Sequence, residues 1–355
     1  MRRFTPESLE QIGITIFTTL GCTEATARAV SEHLVESCLF GQEGHGLIRF
    51  YEYAKQTWDG NFDPKCEPEV VSDRACTAVV DGGGGFGQVG AQLATSLAID
   101  KARAHGIGAV GLRNVGHVGR AGAYPLTAAR QGLVGMAFVN AGHLGRQIAP
   151  FGGIDGKLST NPIAFAAPRR GGEPILLDIT TSVVAEGKIR LAHHRGDKVP
   201  EGWIIDSEGN PTTDPADQLG DPPGAILPLG GAVAYKGYGL GMLVELMGGL
   251  LSGEGCASGE RVFKSNGVFL TVCDPSFFTN EETYDREIES LIAHVTSSRV
   301  DPKIGEILLP GELEFRTARK RREEGIPVDD ATWGLLVEVA EKLELDHEAW
   351  DGQAL

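Results

Sequence analysis

Two residues four apart near the front of the chain raise the first chemical question. His45 and Arg49 lie in the run Gly44-His45-Gly46-Leu47-Ile48-Arg49. If a helix begins near His45, the two side chains share a face. A guanidinium grips a carboxylate through two parallel N–H bonds. An imidazole passes a proton to a neighbouring oxygen near neutral pH. Side by side they suit a 2-oxo acid, and a nearby Arg would lower the histidine pKa. The alternative is a solvated helix start with two unrelated polar residues. A second histidine, His117, sits in the loop Asn114-Val-Gly-His-Val-Gly, just after an expected strand. Loops held by a rigid strand are where reactive side chains concentrate. His143, in the next loop, ranks below it.

The stretch from Ala149 to Lys188 reads as the centre around which the rest is arranged. Ile163–Ala167 and Ile175–Leu177 flank a Gly-containing turn and predict a strand pair. Thr160-Asn161-Pro162 precedes the first strand. Asp178 and Thr180-Thr181-Ser182 follow the second. Ser182–Leu191 reads as a helix with Ser182 as its N-cap. Strand, hydroxyl-rich turn and helix start together suit an anion, because free N–H groups and the helix dipole meet there. The alternative is that the hydroxyls only finish the turn and cap the helix. Lys236, in the Gly-rich approach to a helix over Leu240–Leu251, suits a phosphate or ribose contact. It is not a Walker A lysine, because the G-K-[ST] order is missing.

Gly82, Gly84 and Gly87 match G-x-G-x-x-G between a strand (Ala75–Val80) and a helix (Val89–His105). That spacing is shared by dinucleotide-binding βαβ units. Such units also need an acidic residue at the end of the next strand, and here Gly108–Leu112 runs into Arg113-Asn114. The match is therefore discounted. The remaining pattern gives helices over most of residues 5–55, starting at Thr5-Pro6 and restarting at Thr23. His33 beside the second helix's apolar stripe reads as a surface or packing residue. A helix over Tyr124–Arg130, strands at Val134–Asn140 and Gly267–Val272, and an acidic helix at Asn280–Ser297 follow.

The chain has 355 residues, of which 41% are hydrophobic, enough for a large core. A formal net charge of −16 argues against nucleic acid or an anionic membrane as partner. No apolar run reaches membrane-spanning length, and no signal-peptide core follows Met1. The six cysteines are scattered without a C-x-x-C pair, which fits reduced thiols and a cytoplasmic location. His193-His194 lacks a third ligand at metal spacing, so no metal is expected.

Several motifs recur together: Gly44-His45-Gly46-x-x-Arg49, Gly116-His117-x-Gly119, Thr160-Asn161-Pro162, Asp178-x-x-Thr181-Ser182, Tyr235-Lys236-Gly237-Tyr238-Gly239-Leu240 and Pro310-Gly311-Glu312. In this order the chain resembles the malate/L-lactate dehydrogenase family. That group includes ureidoglycolate, diketogulonate, sulfolactate and piperideine-2-carboxylate oxidoreductases. The resemblance implies a non-Rossmann α/β fold with a mixed-sheet cofactor domain, residues 76–284. It also implies a helical domain from both chain ends, residues 1–75 with 285–355, serving substrate binding and dimerisation. It implies an NAD- or NADP-dependent oxidoreductase, generally homodimeric, acting at the carbon next to a carboxylate of a small 2-hydroxy or 2-oxo acid. A cyclic 2-imino acid, or cofactor binding with little turnover, are the alternatives. By the same resemblance His45 or His117 exchanges the proton and Arg49 clamps the carboxylate. Thr160 and Asn161 line the substrate. Asp178, Ile179, Thr180, Thr181, Ser182, Lys236, Pro310, Gly311 and Glu312 hold the cofactor. The family usually has Ser where this chain has Gly44, which bears on substrate identity.

Overall fold

A computed structural model describes residues 2–142, 145–258, 265–352 and 354. His143 lies outside the described residues. The chain begins with β1 (Arg2–Phe4), α1 (Pro6–Thr19), α2 (Glu24–Leu39) and α3 (Ile48–Trp58), with a single 3-10 turn at Glu43–His45 before α3. The first two helices start where the sequence caps them. Thr5 Oγ1 accepts from the Ser8 N–H, and Thr23 Oγ1 accepts from the Thr26 N–H.

Next come β2 (Glu69–Asp73), β3 (Thr77–Asp81), α4 (Gly87–His105), β4 (Ile107–Val115), α5 (Ala123–Ala129), β5 (Val134–Asn140), β6 (Ile163–Ala167) and β7 (Ile175–Ile179). A smaller lobe holds α6 (Glu186–Arg195), β8 (Ile204–Ile205), β9 (Pro211–Thr212), α7 (Pro215–Leu219) and β10 (Ala225–Ile226). Then α8 (Tyr235–Val244) runs on as a π-helix over Glu245–Leu251, and β11 (Asn266–Cys273) returns to the main sheet. The chain closes with α9 (Glu281–Thr296), α10 (Glu312–Glu324), β12 (Ile326–Val328), α11 (Asp330–Lys342) and α12 (Glu348–Asp351).

The main sheet has seven strands in the order β2-β3-β4-β11-β5-β6-β7. Only β3 and β4 are parallel, joined by α4 as a crossover, and the other neighbours are antiparallel. A doubly wound dinucleotide fold would be mostly parallel, so the sheet is mixed and not of the Rossmann kind. The β6–β7 pair forms from the two apolar runs expected to make it, in the register Ile163↔Ile179, with β7 running on past Leu177 to include Asp178 and Ile179.

Register brings one edge of this sheet together. The ends at Val115, Asn266, Asn140, Ile163 and Ile179 are neighbours, because Asn266 pairs with Val115, Gly267 with Asn140, Phe138 with Ile163, and Ile163 with Ile179. Every loop that carries a candidate residue between 114 and 182 leaves from this edge. The sheet packs on α4 through alanines (Ala91, Ala94, Ala98, Ala102), whose small side chains let helix and strands approach closely. A second core joins Phe4, Ile12, Phe17, Leu34 and Phe50 to Phe315, Trp333 and Leu336 from the far end of the chain. Strand β1 pairs with β12 beside it.

Candidate active site

The front of the molecule brings its histidine and arginine to the loop after β4. His45 closes the 3-10 turn instead of opening a helix, and α3 starts three residues later. Gly46 is the reason for the break. Its backbone (φ −104°, ψ −135°) is far from helical, and a Cβ there would fall on the Cys38 sulfur. The expected shared helix face is therefore replaced by a turn, and the two residues still converge. The Arg49 Nε donates to the Gly44 carbonyl at 2.8 Å, which curls the guanidinium back over the turn. Its Nη1 pairs with Glu52.

His45 and His117 stack nearly parallel, with centroids 5.2 Å apart and planes 7° from each other. Both sit partway below the surface. Burial, then the Arg49 charge, pushes the His45 pKa down to about 3, and the same causes hold His117 well below its ordinary range. The pair is neutral at physiological pH. A neutral imidazole can donate or accept a hydrogen bond, which suits an oxygen that changes charge.

The His117 loop is anchored almost residue by residue. The Gly116 N–H donates to the Gly85 carbonyl, and the Val118 N–H to Asn266 Oδ1 at 3.0 Å. The Arg120 N–H donates to His33 Nε2 at 3.0 Å, and the Gly122 N–H to Asp178 Oδ2 at 2.8 Å. The Tyr124 hydroxyl donates to the Val118 carbonyl. His33 is thus a buried packing residue that holds the loop.

Two residues that sequence reasoning passed over complete this corner. The Tyr53 hydroxyl lies 2.7 Å from His117 Nδ1, and Gln88 Nε2 donates to that hydroxyl at 2.9 Å. Tyr53 is 2% exposed and Gln88 0%. The available signal was spacing, since Tyr53 stands four after Arg49 on α3. It reads equally as a core aromatic. Arg120 was also missed. It is 1% exposed, ion-paired to Glu36 at 2.8 Å and stacked on Phe40.

The glycine run before α4 has a packing use. The N–H groups of Gly82, Gly84 and Gly85 donate to Arg113, Asn114 and Gly82 carbonyls, and that of Gly83 donates to Asp81. None of these four is left for a phosphate. A Cβ on Gly87 would fall on the Gly116 and His117 backbone, so that glycine lets α4 start against the His117 loop.

Around β6 and β7 the hydroxyls turn inward. Thr181 Oγ1 donates to the Thr160 and Asn161 carbonyls, Ser182 Oγ to Val184, and Thr180 Oγ1 to Ser182. The expected helix from Ser182 starts at Glu186 instead, after an uncapped Ala185. Ser182 instead forms a bridge with Pro228. Asn161 is 0% exposed with φ +38°, and its amide is committed to Glu245 (2.7 Å) and the Ala141 N–H. The Thr160 hydroxyl makes no hydrogen bond to protein among the described residues and is half-buried. Asp178 is half-buried. Burial raises its pKa while Arg120 and the Gly122 N–H oppose the rise. Ile179, at the sheet edge, pairs with Ile163. The Pro310 carbonyl accepts from the Leu176 N–H at 3.1 Å, which sets Gly311 (φ +88°) and Glu312 beside β7. Lys236 is exposed in the first turn of α8, which begins earlier than expected. The Thr181 carbonyl accepts from Leu229, and the Leu229 carbonyl accepts from Gly237, so this turn adjoins the β7 exit.

Comparison with known proteins matches residues 4–337 to a family model described as malate/L-lactate dehydrogenase. Hydroxycarboxylate dehydrogenase B of Escherichia coli O157:H7 is 34% identical, over 98% of this chain and 96% of its own length. The solved structure of sulfolactate dehydrogenase from Methanocaldococcus jannaschii superposes with a TM-score of 0.86 at 34% identity, covering 98% of this chain and 99% of that one. The structure of Δ1-piperideine-2-carboxylate reductase from Pseudomonas syringae pv. tomato gives 0.85 at 30% identity, covering 96% and 100%.

Proposed function

The chain belongs to the malate/L-lactate dehydrogenase family, and from that premise we propose how its residues divide the work of a hydroxy-acid dehydrogenase. The chain is an oxidoreductase that acts at the carbon next to a carboxylate, with a nicotinamide cofactor. The observation that carries the residue assignment is the stacked, neutral His45–His117 pair with Arg49 curled over the same turn.

The residues present fit a dinucleotide. Tyr235 and Lys236 begin α8 with no capping side chain, and Lys236 has no carboxylate partner among the described residues. A cationic side chain at a helix N-terminus suits a pyrophosphate. The turn Asp178–Ser182 and the loop Pro310–Glu312 form the neighbouring wall. Because the turn's hydroxyls are already bonded internally, that wall works through shape and backbone. Asp178 acts through the His117 loop, by holding Gly122. When bound, the nicotinamide supplies or takes up the hydride.

Arg49 holds the substrate carboxylate, which displaces Glu52 from the guanidinium. The Thr160 hydroxyl is the free polar group on the substrate side, and Asn161 fixes the turn that presents it. The two imidazoles face the substrate oxygen, stabilise its charge and exchange its proton. The homologous dehydrogenases and reductase support small 2-hydroxy and 2-oxo acids as substrates, with a cyclic imino acid as the second reading, favoured by the likeness to the piperideine-2-carboxylate reductase. Six free cysteines support a reducing, cytoplasmic setting. Among the described residues no helix is long and apolar enough to cross a membrane. The functional unit is a homodimer, supported by an apolar stripe left exposed over residues 242–251, in the cofactor domain and not in the helical domain expected to dimerise.

The test mixes the protein with NADH or NADPH and a panel of 2-oxo acids and cyclic imines, and follows reduced-cofactor absorbance. Turnover on at least one member is expected, and the paired cofactors distinguish NAD from NADP. Arg49→Gln should lower kcat/KM about 100-fold or more through loss of a charged bidentate contact, while cofactor affinity stays unchanged. Absence of turnover across the panel overturns the reading.

A further inference from the structure

We propose that Tyr53 and Gln88 are positioning residues that lock the neutral His117 imidazole in a single tautomer, with its proton on Nε2. His117 then serves as a fixed hydrogen-bond donor to the substrate oxygen, and His45 is the ring free to exchange a proton. The proposal rests on the reading that this site reduces or oxidises a hydroxy acid.

The Tyr53 hydroxyl has one proton and two lone pairs. One lone pair accepts from Gln88 Nε2 at 2.9 Å. Two acceptors lie within reach of the proton: His117 Nδ1 at 2.7 Å and the His117 carbonyl at 3.3 Å. The shorter contact takes it, because the strength of such a bond falls steeply with distance. Nδ1 is then an acceptor, and the one N–H of a neutral ring sits on Nε2.

The opposite assignment, with His117 Nδ1–H donating to Tyr53, sends the Tyr53 proton either to the His117 carbonyl at 3.3 Å, a long contact for a hydroxyl donor, or to a Gln88 amide turned over, with its oxygen facing Tyr53. In the present orientation only the Gln88 Oε1 lacks a partner. Turned over, the amide nitrogen would take that place with two unpaired N–H groups in the interior. An orphaned donor is rarer in folded proteins than an under-satisfied carbonyl, so the present orientation stands.

The two histidines then differ in kind. Behind His117 the chain of hydrogen bonds ends at an amide, which has no proton to pass on. A proton surrendered from Nε2 could not be replaced through Tyr53, whose phenol burial keeps protonated. The His45 ring makes no hydrogen bond among the described residues, and its Nδ1 is without a partner. No hydrogen bond fixes its tautomer. One imidazole is therefore built to stay as it is and its stacked neighbour to change.

The test is long-range ¹⁵N–¹H correlation on the ¹⁵N-labelled full chain without substrate. His117 should show a non-protonated Nδ1 and a protonated Nε2. Tyr53→Phe keeps the ring that packs against Phe62 and Phe86 and should give a mixture of tautomers. Its kcat should fall on the order of 10-fold or more, with KM for the oxo acid little changed, because a wrong tautomer removes the donor and not the carboxylate clamp. Gln88→Glu should invert the lock: the new carboxylate accepts the Tyr53 proton, and Tyr53 oxygen accepts from His117 Nδ1–H. A wild-type spectrum with the proton on His117 Nδ1 overturns the proposal, whether or not either variant folds. If the spectrum shows the lock and no 2-oxo acid or imine is turned over, the functional reading fails instead.

Discussion

A buried histidine that cannot be charged leaves a thermodynamic signature. His33 is 6% exposed, and burial, with the Arg120 charge second, pushes its pKa down to about 3. Its role is to accept the Arg120 N–H, which requires Nε2 to stay unprotonated. In the unfolded chain the same ring titrates near 6.5. Above that pH neither state binds the proton, and stability is indifferent to it. Below it the unfolded chain takes up a proton that the folded chain refuses, so stability falls as the pH drops from about 6.5 toward 3. The slope is about 1.4 kcal/mol per pH unit for such a group. Urea unfolding of the wild type and of His33→Gln at pH 7, 6, 5 and 4 checks this. The wild type should lose stability more steeply than the variant below pH 6, by the equivalent of one proton. Parallel curves would mean that His33 is protonated in the folded protein as well.

At the scale of elements, the pieces legible in the sequence were those whose stability is local. Val134–Asn140 forms over the expected residues, and the helices capped by Thr5 and Thr23 start as read. What escaped was decided by contacts distant in the chain. Ser182 has an N-cap side chain, but its hydroxyl bonds to Val184 and its backbone bridges to Pro228, so the helix waits until Glu186. The sequence places His45 at a helix start, yet the backbone at Gly46 is non-helical and packs so closely on Cys38 that no Cβ fits there. The site was legible as residue types, and the pairing of His45 with His117 depended on a loop anchored by Asn266, His33 and Asp178, none of which is near 117 in sequence. Tyr53 was hidden because an aromatic on an apolar helix face looks like core, which it also is. Two glycines test how much the site depends on element placement. Gly87→Ala puts a Cβ onto the backbone of Gly116 and His117. It should cost about 1–3 kcal/mol as an overpacking substitution and lower kcat by displacing His117. Gly44→Ser meets nothing within 4 Å and should change stability by no more than about 0.5 kcal/mol. Chemical denaturation with steady-state kinetics on both variants decides the matter. Equal stability for the two would show that α4 can retreat from the loop.

At the scale of the whole molecule, the exposed apolar surface of α8 and the π-helix that continues it has to be accounted for. Met242, Leu243, Leu246, Leu250 and Leu251 are 38%, 40%, 48%, 61% and 54% exposed. Met242 and Leu243 end α8, and Leu246, Leu250 and Leu251 lie on the π-helix that continues it. A stripe of this kind left in water is unusual for a monomer and marks a contact surface. The formal net charge of −16 makes two copies repel at long range, so association has to come from short-range apolar burial, with salt strengthening it by screening. Leu246 stands at the centre of the stripe and is largely free of its own core. Leu246→Glu should therefore leave the fold and its unfolding midpoint at low protein concentration unchanged. In sedimentation equilibrium the wild type should run at twice the 37.7 kDa chain mass, and the variant at the chain mass itself. A wild type that sediments at the chain mass removes the dimer from the reading, and a variant that stays dimeric moves the interface away from this stripe.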